Sequence, residues 1–323
     1  MIPSSIAIIG GSGFLGGKLI RALSNSSAFR EIEVRSIDRV QFPFEHGTPE
    51  RFTPIIGDAR DIAFLSDAIE GVDAVWIRAG KSGGWDSIEV ERCCEYLDSN
   101  VQLAASVVKA CTTTGCSRIY FDSSEQVFGE SADIRKQLPE SEATPCNFYG
   151  ATKLIVEKHL FKWVSESHRG PERSAQIMRY SRVHGPETRD VIHSFAMAAL
   201  SGGPIKIFGD GDHQISFVHI DDVIETNMTA LRRRPRFAIE HVSSGRPITL
   251  FELALRIRES AKQYTGVLAP IVKVDPPSQK MFEPFVVGMA WEPSGHLLGK
   301  RPISLDFMIE ETLESLVGSV AAK

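Results

Sequence analysis

The chain has 323 residues, 42% hydrophobic and 24% charged, a balance that excludes a disordered or fibrous protein and leaves room for a large core plus a second lobe. Its formal net charge of -5 and pI near 6.0 offer no general attraction to a phosphate backbone, so no nucleic-acid partner is expected. The five cysteines, Cys93, Cys94, Cys111, Cys116 and Cys146, form an odd set without CxxC spacing; neither a disulfide framework nor a zinc cluster fits.

The first predicted element is the apolar run 6–9. Glycines close it, and Phe14, Leu15, Leu19, Ile20 and Leu23 follow at helical spacing, which reads as strand, tight turn and helix. With a strand starting by Ile6 there is no room for a leader, and no apolar run is long enough to span a bilayer, so the expectation is a cytoplasmic protein with no membrane partner. Further strands are predicted at 32–37, 54–56, 74–77, 118–121 and 176–178, alternating with helical stretches that include 101–111 and 153–164. Strands separated by helices require crossovers, so the expected fold is a doubly wound α/β (Rossmann) domain around a parallel sheet.

After about Ser181 the alternation loosens, and Gly202, Gly203, Pro204, Gly209 and Gly211 cluster. Residues 1–180 plus about 216–244 are assigned to the dinucleotide-binding domain, and about 181–215 plus 245–323 to a smaller C-terminal substrate lobe. The run Arg232, Arg233, Arg234 and Arg236 ends a helical stretch before Pro235, where cations complement the helix dipole.

The turn after the first strand has glycines at GxxGxxG spacing: Gly10, Gly13 and Gly16. Gly10 permits the sharp turn, Gly13 lets a pyrophosphate approach the backbone, and Gly16 lets the helix lie close to the sheet. Asp38 ends the second strand, where its carboxylate can accept both adenosine-ribose hydroxyls; this favours NAD, while Arg39 beside it leaves NADP open. Asp58, after the third strand, is read either as a partner of the adenine amino group or as a helix cap, for which Asp61 is the better candidate. The loop Ala79, Gly80, Lys81, Ser82, Gly83 and Gly84 leaves the fourth strand at the ligand edge. The candidate cofactor contacts are Gly10, Ser12, Gly13, Phe14, Leu15, Gly16, Asp38, Arg39, Asp58, Ala59, Ala79, Gly80, Lys81, Asn100, Tyr149 and Lys153.

Tyr149 and Lys153 are four apart on a helix and face the same side. An ammonium there favours the phenolate and is expected to bring the tyrosine down from about 10 towards working pH, making Tyr149 an acid/base. Ser124, after the fifth strand, is placed to hydrogen-bond a substrate oxygen as its charge changes. His184, His193, His213, His219 and His241 make no ligand pair on one helical face, and no metal is expected.

Several motifs now stand in order: Gly10-Gly11-Ser12-Gly13-Phe14-Leu15-Gly16, Gly57-Asp58, Ser123-Ser124 through Val127-Phe128-Gly129, Tyr149-Gly150-Ala151-Thr152-Lys153, Met178-Arg179-Tyr180 with Gly185-Pro186, Phe208-Gly209-Asp210-Gly211, and Val218-His219-Ile220-Asp221-Asp222-Val223. Together they resemble the extended short-chain dehydrogenase/reductase family, the NAD-dependent epimerase/dehydratase group. The resemblance implies that Tyr149 exchanges the proton, Lys153 binds the nicotinamide ribose and tunes Tyr149, and Ser124 polarises the reacting C–O group while hydride passes to or from nicotinamide. It also implies a homodimer paired through long helices around 90–111 and 149–164.

Departures from the family pattern narrow the chemistry. Glu125 matches the first position of the dehydratase acid-base pair, but Gln126 stands at the second, and an amide cannot abstract a proton; 4,6-dehydration is disfavoured. Arg182 stands where an asparagine is usual, and Ile215 where an arginine holds the sugar diphosphate. Candidate substrate contacts are Ser124, Glu125, Gln126, Arg182 and His213. The leading expectation is a sugar-nucleotide epimerase or C4 oxidoreductase. The second is an NAD(P)-dependent alcohol dehydrogenase or ketone reductase on a non-nucleotide metabolite, which the string Ile215-Ser216-Phe217-Val218-His219 resembles in the sterol-dehydrogenase-like branch. The third is a non-catalytic dinucleotide-binding scaffold.

Overall fold

The computed structural model describes residues 2–42, 51–83, 89–129, 143–167, 172–245, 247–275, 286–287, 295–298 and 300–321. In chain order the regular elements are β1 (Ser5–Ile9), α1 (Phe14–Asn25), β2 (Glu33–Asp38), β3 (Phe52–Ile56), α2 (Ile62–Ala68), β4 (Ala74–Ile77), α3 (Cys93–Tyr96), α4 (Leu103–Thr114), β5 (Arg118–Ser124), α5 (Phe148–Ser165), β6 (Ser174–Tyr180) and β7 (Arg182–His184). They continue with α6 (Val191–Leu200), β8 (Ile205–Phe208), β9 (Gln214–Ile215), β10 (Phe217–His219), α7 (Ile220–Leu231), β11 (Phe237–Val242), β12 (Ile248–Thr249), α8 (Leu250–Thr265), β13 (Ile271–Val274), β14 (Val286–Val287), α9 (Gly295–Leu298) and α10 (Leu305–Ala321).

The described residues fall into two compact units, the first holding 2–129, 143–180 and 224–241, the second 181–223 and 242–321. In the first, seven strands form one sheet in the order β11-β6-β5-β4-β1-β2-β3. The pairings from β6 through to β3 are all parallel. The chain steps outward from β1 to β3 and then returns to the other side of β1 at β4. That reversal opens a crevice at the C-terminal ends of β1 and β4, where ligands of such sheets bind.

Alternation along the strands sorts the two faces. Ala7, Ile9, Val75, Ile77, Ile119, Phe121, Ala175 and Ile177 pack with Leu65 of α2, Val107 of α4 and Leu160 of α5 in one buried cluster. On the opposite face Gln176 donates through Nε2 to the Ala230 carbonyl of α7 at 3.2 Å, and α1 buries Leu19, Ile20 and Leu23. Both faces are covered, so the central strands β1 and β4 are nearly continuous apolar runs. Pro54, inside β3, is tolerated because β3 is the edge strand. The predicted helix at 101–111 begins as a π-helical segment over Leu97–Gln102 before α4.

The arginine run is absorbed by packing: Arg232 lies 4.7 Å over the Phe29 ring, Arg233 pairs with Glu240 at 3.0 Å, and Arg234 donates to Ser117 and to the Glu172 carbonyl.

The second unit packs α6, α8 and α10 around a core that includes Phe195, Ile207, Ile215, Phe217, Leu253 and Met308. Short strand pairs, β7 with β10 and β8 with β13, and a three-stranded sheet β12-β9-β14 frame it. His184 is buried, with Nδ1 at 2.8 Å from Asp190 and Nε2 at 2.9 Å from Thr312. Among the described residues no helix is long and apolar enough to cross a membrane.

Candidate active site

The glycine turn closes on itself through Gly10 N donating to the Ile37 carbonyl and Gly13 N donating to the Gly10 carbonyl. Gly10 has φ +86, and a Cβ there would lie 2.5 Å from the backbone nitrogen of Ala79; a Cβ on Gly16 would lie 2.4 Å from the Gly10 oxygen. The fold itself demands those two glycines. Gly13 differs, since its Cβ would meet only the Gly10 oxygen at an ordinary 3.4 Å. It begins α1 without a side-chain cap and with no acidic residue in the first turn, so the amides there suit an anionic group approaching close to the backbone. Phe14 is exposed beside it and Leu15 half-buried.

Asp38 is drawn to this turn. One carboxylate oxygen accepts from Ser12 N at 3.1 Å and the other from Arg39 N at 2.7 Å, which fixes the carboxylate while leaving lone pairs for ribose hydroxyls. Ser12 Oγ donates to the Val40 carbonyl, and the Arg39 side chain is exposed.

Asp58 does not cap the helix that follows. Asp61 caps α2, accepting from Ala63 N and Phe64 N, while Asp58 is held in a bidentate pair by Arg60, with Nη2 at 2.6 Å. The Arg60 side chain, then its amide, hold the Asp58 carboxyl down at about 2. Ala59 beside it is buried.

After β4, Ala79 N donates to the Ile9 carbonyl, tying the loop to β1. Asn100, 4% exposed, organises the next turn: its Oδ1 accepts from Lys81 N at 2.7 Å, and its Nδ2 donates to Thr152 Oγ1 at 2.9 Å and to the Lys81 carbonyl. A Cβ on Gly80 would strike that same Oδ1 at 2.6 Å. The Lys81 ammonium turns to Glu95 at 2.5 Å and lies 4.9 Å over the Tyr96 ring. Gly83 packs edge-on to Tyr149, with a hypothetical Cβ 2.6 Å from the ring; Gly84 lies outside the described residues.

Tyr149 and Lys153 stand on the first two turns of α5, which Asn147 caps by accepting from Gly150 N at 2.8 Å. Ser124 ends β5, its Oγ accepting from Gln126 N at 3.2 Å, and its hydroxyl acts to lower the Tyr149 phenol. Lys153 is 6% exposed and donates to the Asp122 carbonyl at 2.8 Å, with its ammonium 5.6 Å from the Tyr149 ring centre.

The expected electrostatics are corrected here. Burial pushes the Tyr149 phenol up to about 12, outweighing the Ser124 hydrogen bond, and pushes Lys153 down to about 8. The ammonium is directed at a backbone carbonyl instead of the phenol oxygen, so by itself it does not prepare the phenolate.

Glu125 is buried within the one-turn 3-10 helix that follows Ser124 and adds negative charge against Tyr149. Gln126 accepts through Oε1 from Asn147 Nδ2 at 2.9 Å, bracing the start of α5. Arg182 and His213 lie in the second unit; Arg182 is exposed at the start of β7, and His213 is buried, which lowers its imidazole. Ile215 sits in the second unit's core.

Three features escaped the sequence reading. The Asp122 carbonyl anchors Lys153, Gly83 packs on Tyr149, and a buried triad joins Ser123 Oγ to Glu157 at 2.5 Å and Glu157 to Arg179 at 2.6 Å. The legible signal for the triad was Glu157, four residues beyond Lys153 on the buried face of α5.

The chain is similar to several known proteins. N-acetyl-alpha-D-glucosaminyl-diphospho-ditrans,octacis-undecaprenol 4-epimerase of Escherichia coli O157:H7 is 28% identical over 68% of this chain, which spans 61% of that relative's length. UDP-glucose 4-epimerase of Azospirillum brasilense is 26% identical over 84% of this chain and 82% of its own. The structure of MoeE5 in complex with UDP-glucuronic acid and NAD superposes with a TM-score of 0.80 at 23% identity, covering 98% of this chain and 99% of that one, a likeness of fold. The sequence model of the NAD-dependent epimerase/dehydratase family matches residues 6–242, which takes in every motif from the glycine turn to α7, and the chain therefore belongs to that family.

Proposed function

We propose that this protein is an NAD-dependent 4-epimerase of a sugar nucleotide, acting at a carbinol carbon held between Ser124 and Tyr149. The observation that carries the reading is the convergence of Ser124, Tyr149 and Lys153 at the C-terminal end of β5, on a fold whose glycine turn suits a dinucleotide. The two curated relatives described above are both sugar 4-epimerases, one on a nucleotide sugar and one on a lipid-linked diphosphate.

Gly10, Ser12, Gly13 and Gly16 hold the pyrophosphate of NAD, Asp38 the adenosine ribose, and Lys153 with Tyr149 the nicotinamide ribose. NAD held there would supply reversible hydride chemistry at the carbinol carbon and a cationic ring that favours a phenolate nearby. Tyr149 takes the hydroxyl proton as the carbon is oxidised and gives it back on reduction, while Ser124 holds the oxygen throughout. Burial pushes Tyr149 up to about 12 and keeps it a neutral acid, the form needed for the reductive half. Gln126 carries no basic group and is engaged by Asn147, so elimination is disfavoured. Arg182 and His213 of the second unit are proposed to contact the substrate, with Arg182 supplying the charge that Ile215 lacks.

A panel of UDP-, dTDP-, GDP- and CDP-sugars tests the reading. Product should form with no net change in nicotinamide absorbance, and Tyr149→Phe should abolish turnover while leaving NAD affinity within about twofold. Net NADH accumulation or consumption would instead identify a dehydrogenase or reductase, and full activity in Tyr149→Phe refutes the assignment.

We also propose a cytoplasmic homodimer built through α4 and α5. Ile155 and Phe161 of α5 are 46% and 57% exposed, and Phe161 stacks edge-on with Phe237 at 5.2 Å. A monomer in sedimentation equilibrium at micromolar concentration would overturn it.

A further inference from the structure

Arg78, which follows β4, and Asp122 of β5 face each other on the side of the sheet away from α5. The Arg78 side chain is 1% exposed and the Asp122 side chain 7%, with Nη1 3.4 Å from Oδ2. The guanidinium lies 4.4 Å over the Trp76 ring, and Trp76 donates through Nε1 to Asp122 Oδ1 at 2.7 Å. The Tyr180 hydroxyl sits between Asp122 Oδ1 at 3.2 Å and the Asn227 amide at 2.7 Å. A phenol has one proton to give, and Asn227 Nδ2 otherwise has no partner; turning that amide lets Nδ2 donate to Tyr180 while Tyr180 donates to Asp122. Trp76 and Tyr180 thus hold the carboxylate through Oδ1, while Arg78 faces Oδ2 as a charge at 3.4 Å without a hydrogen bond.

The same residue presents its main-chain oxygen to the other side of the strand, where Lys153 donates to it. A buried ion pair of this kind contributes little net stability, because desolvating both partners offsets their attraction. Its position points to a different use, since Asp122 itself supplies the carbonyl that anchors Lys153.

We propose that the Arg78–Asp122 pair is a positioning device for Lys153: it fixes the strand carbonyl that holds the ammonium, and the guanidinium cancels the carboxylate charge that would otherwise act on Lys153 and Tyr149 through the sheet. The proposal deepens the proposed function by adding two positioning residues to the same site. The other charges facing these two groups are Glu157, which Arg179 neutralises, and Glu125; Lys81, paired with Glu95, lies behind Tyr96, whose ring centre is 6.5 Å from that of Tyr149. Asp122 charge raises both Lys153 and Tyr149, so its compensation by Arg78 matters for the proton affinity of each.

The test titrates Lys153 in the NAD-loaded protein by NMR of isotope-labelled lysine, with its resonance assigned from Lys153→Arg. No substrate or turnover is involved, so the result stands whether or not the sugar-nucleotide reading survives. Arg78→Met should raise the Lys153 midpoint by about one pH unit, the effect of one uncompensated charge a side chain or two away at an effective dielectric near 20. Asp122→Asn should lower it by about as much, Arg78→Lys should leave it unchanged, and the double variant should restore it to within about 0.3. Midpoints that stay fixed overturn the proposal. So do midpoints that rise in both single variants, since general loosening lets water reach the amine and moves both the same way. If Arg78→Met does not fold, Asp122→Asn is compared with the Arg78→Met/Asp122→Asn double variant: a midpoint restored by the second substitution supports the pair, and one left low overturns it.

Discussion

Replacing Lys153 by methionine isolates the cost of keeping an ammonium under the active site. The amine is 6% exposed and burial brings it down to about 8, against 10.5 for an ordinary lysine. That gap corresponds to roughly 3 kcal/mol of destabilisation while the group is protonated in both states. Between about pH 8 and 10.5 the unfolded chain holds a proton that the folded chain has released, so the stability of the wild type rises with pH across that window. Lys153→Met has nothing to titrate there, and Tyr149, present in both proteins, cancels in the difference. The lost hydrogen bond to the Asp122 carbonyl shifts the difference by a constant and leaves its slope alone. Urea unfolding of both proteins from neutral pH to about 10.5 should therefore show the wild type gaining roughly 2–3 kcal/mol on the variant. A difference that stays flat means the ammonium is solvated, and the account of Lys153 as a buried, carbonyl-held group fails.

The glycine turn separates what the fold requires from what the cofactor requires. Gly16→Ala puts a Cβ 2.4 Å from the Gly10 oxygen and should cost about 2–4 kcal/mol of stability in thermal or urea unfolding without NAD. Gly13→Ala meets nothing nearer than 3.4 Å, so its stability should stay within about 1 kcal/mol while NAD affinity falls by about tenfold or more in calorimetric titration. Equal stability losses in the two variants would contradict the reading of Gly13 as a ligand-facing position.

Much of the site was legible because its motifs are local. Gly10, Gly13 and Gly16 lie within one strand-turn-helix, and the φ of +86 at Gly10 is what the turn needed. Tyr149 and Lys153 share a face of α5 by helical periodicity alone, and Asp61 caps α2 as its place before an apolar run suggested. The alternation of strands and helices pointed to the parallel sheet, because parallel neighbours need crossovers of that length.

Tertiary structure decided what depends on neighbours distant in sequence. Asp58 looked equally suited to adenine or to a helix end, and the side chain of Arg60 folded back to hold it; Gln126 looked like a substrate contact, and Asn147 engages it. Lys153 was expected to lower Tyr149, yet burial raises one and lowers the other, since desolvation acts on each group separately and the ammonium found a carbonyl on β5. Periodicity assigns a residue to a face but carries no information about which charge lies on the next strand. Hence the Arg78–Asp122 pair has no signature in the sequence, and only the tertiary structure brings the two side chains to 3.4 Å.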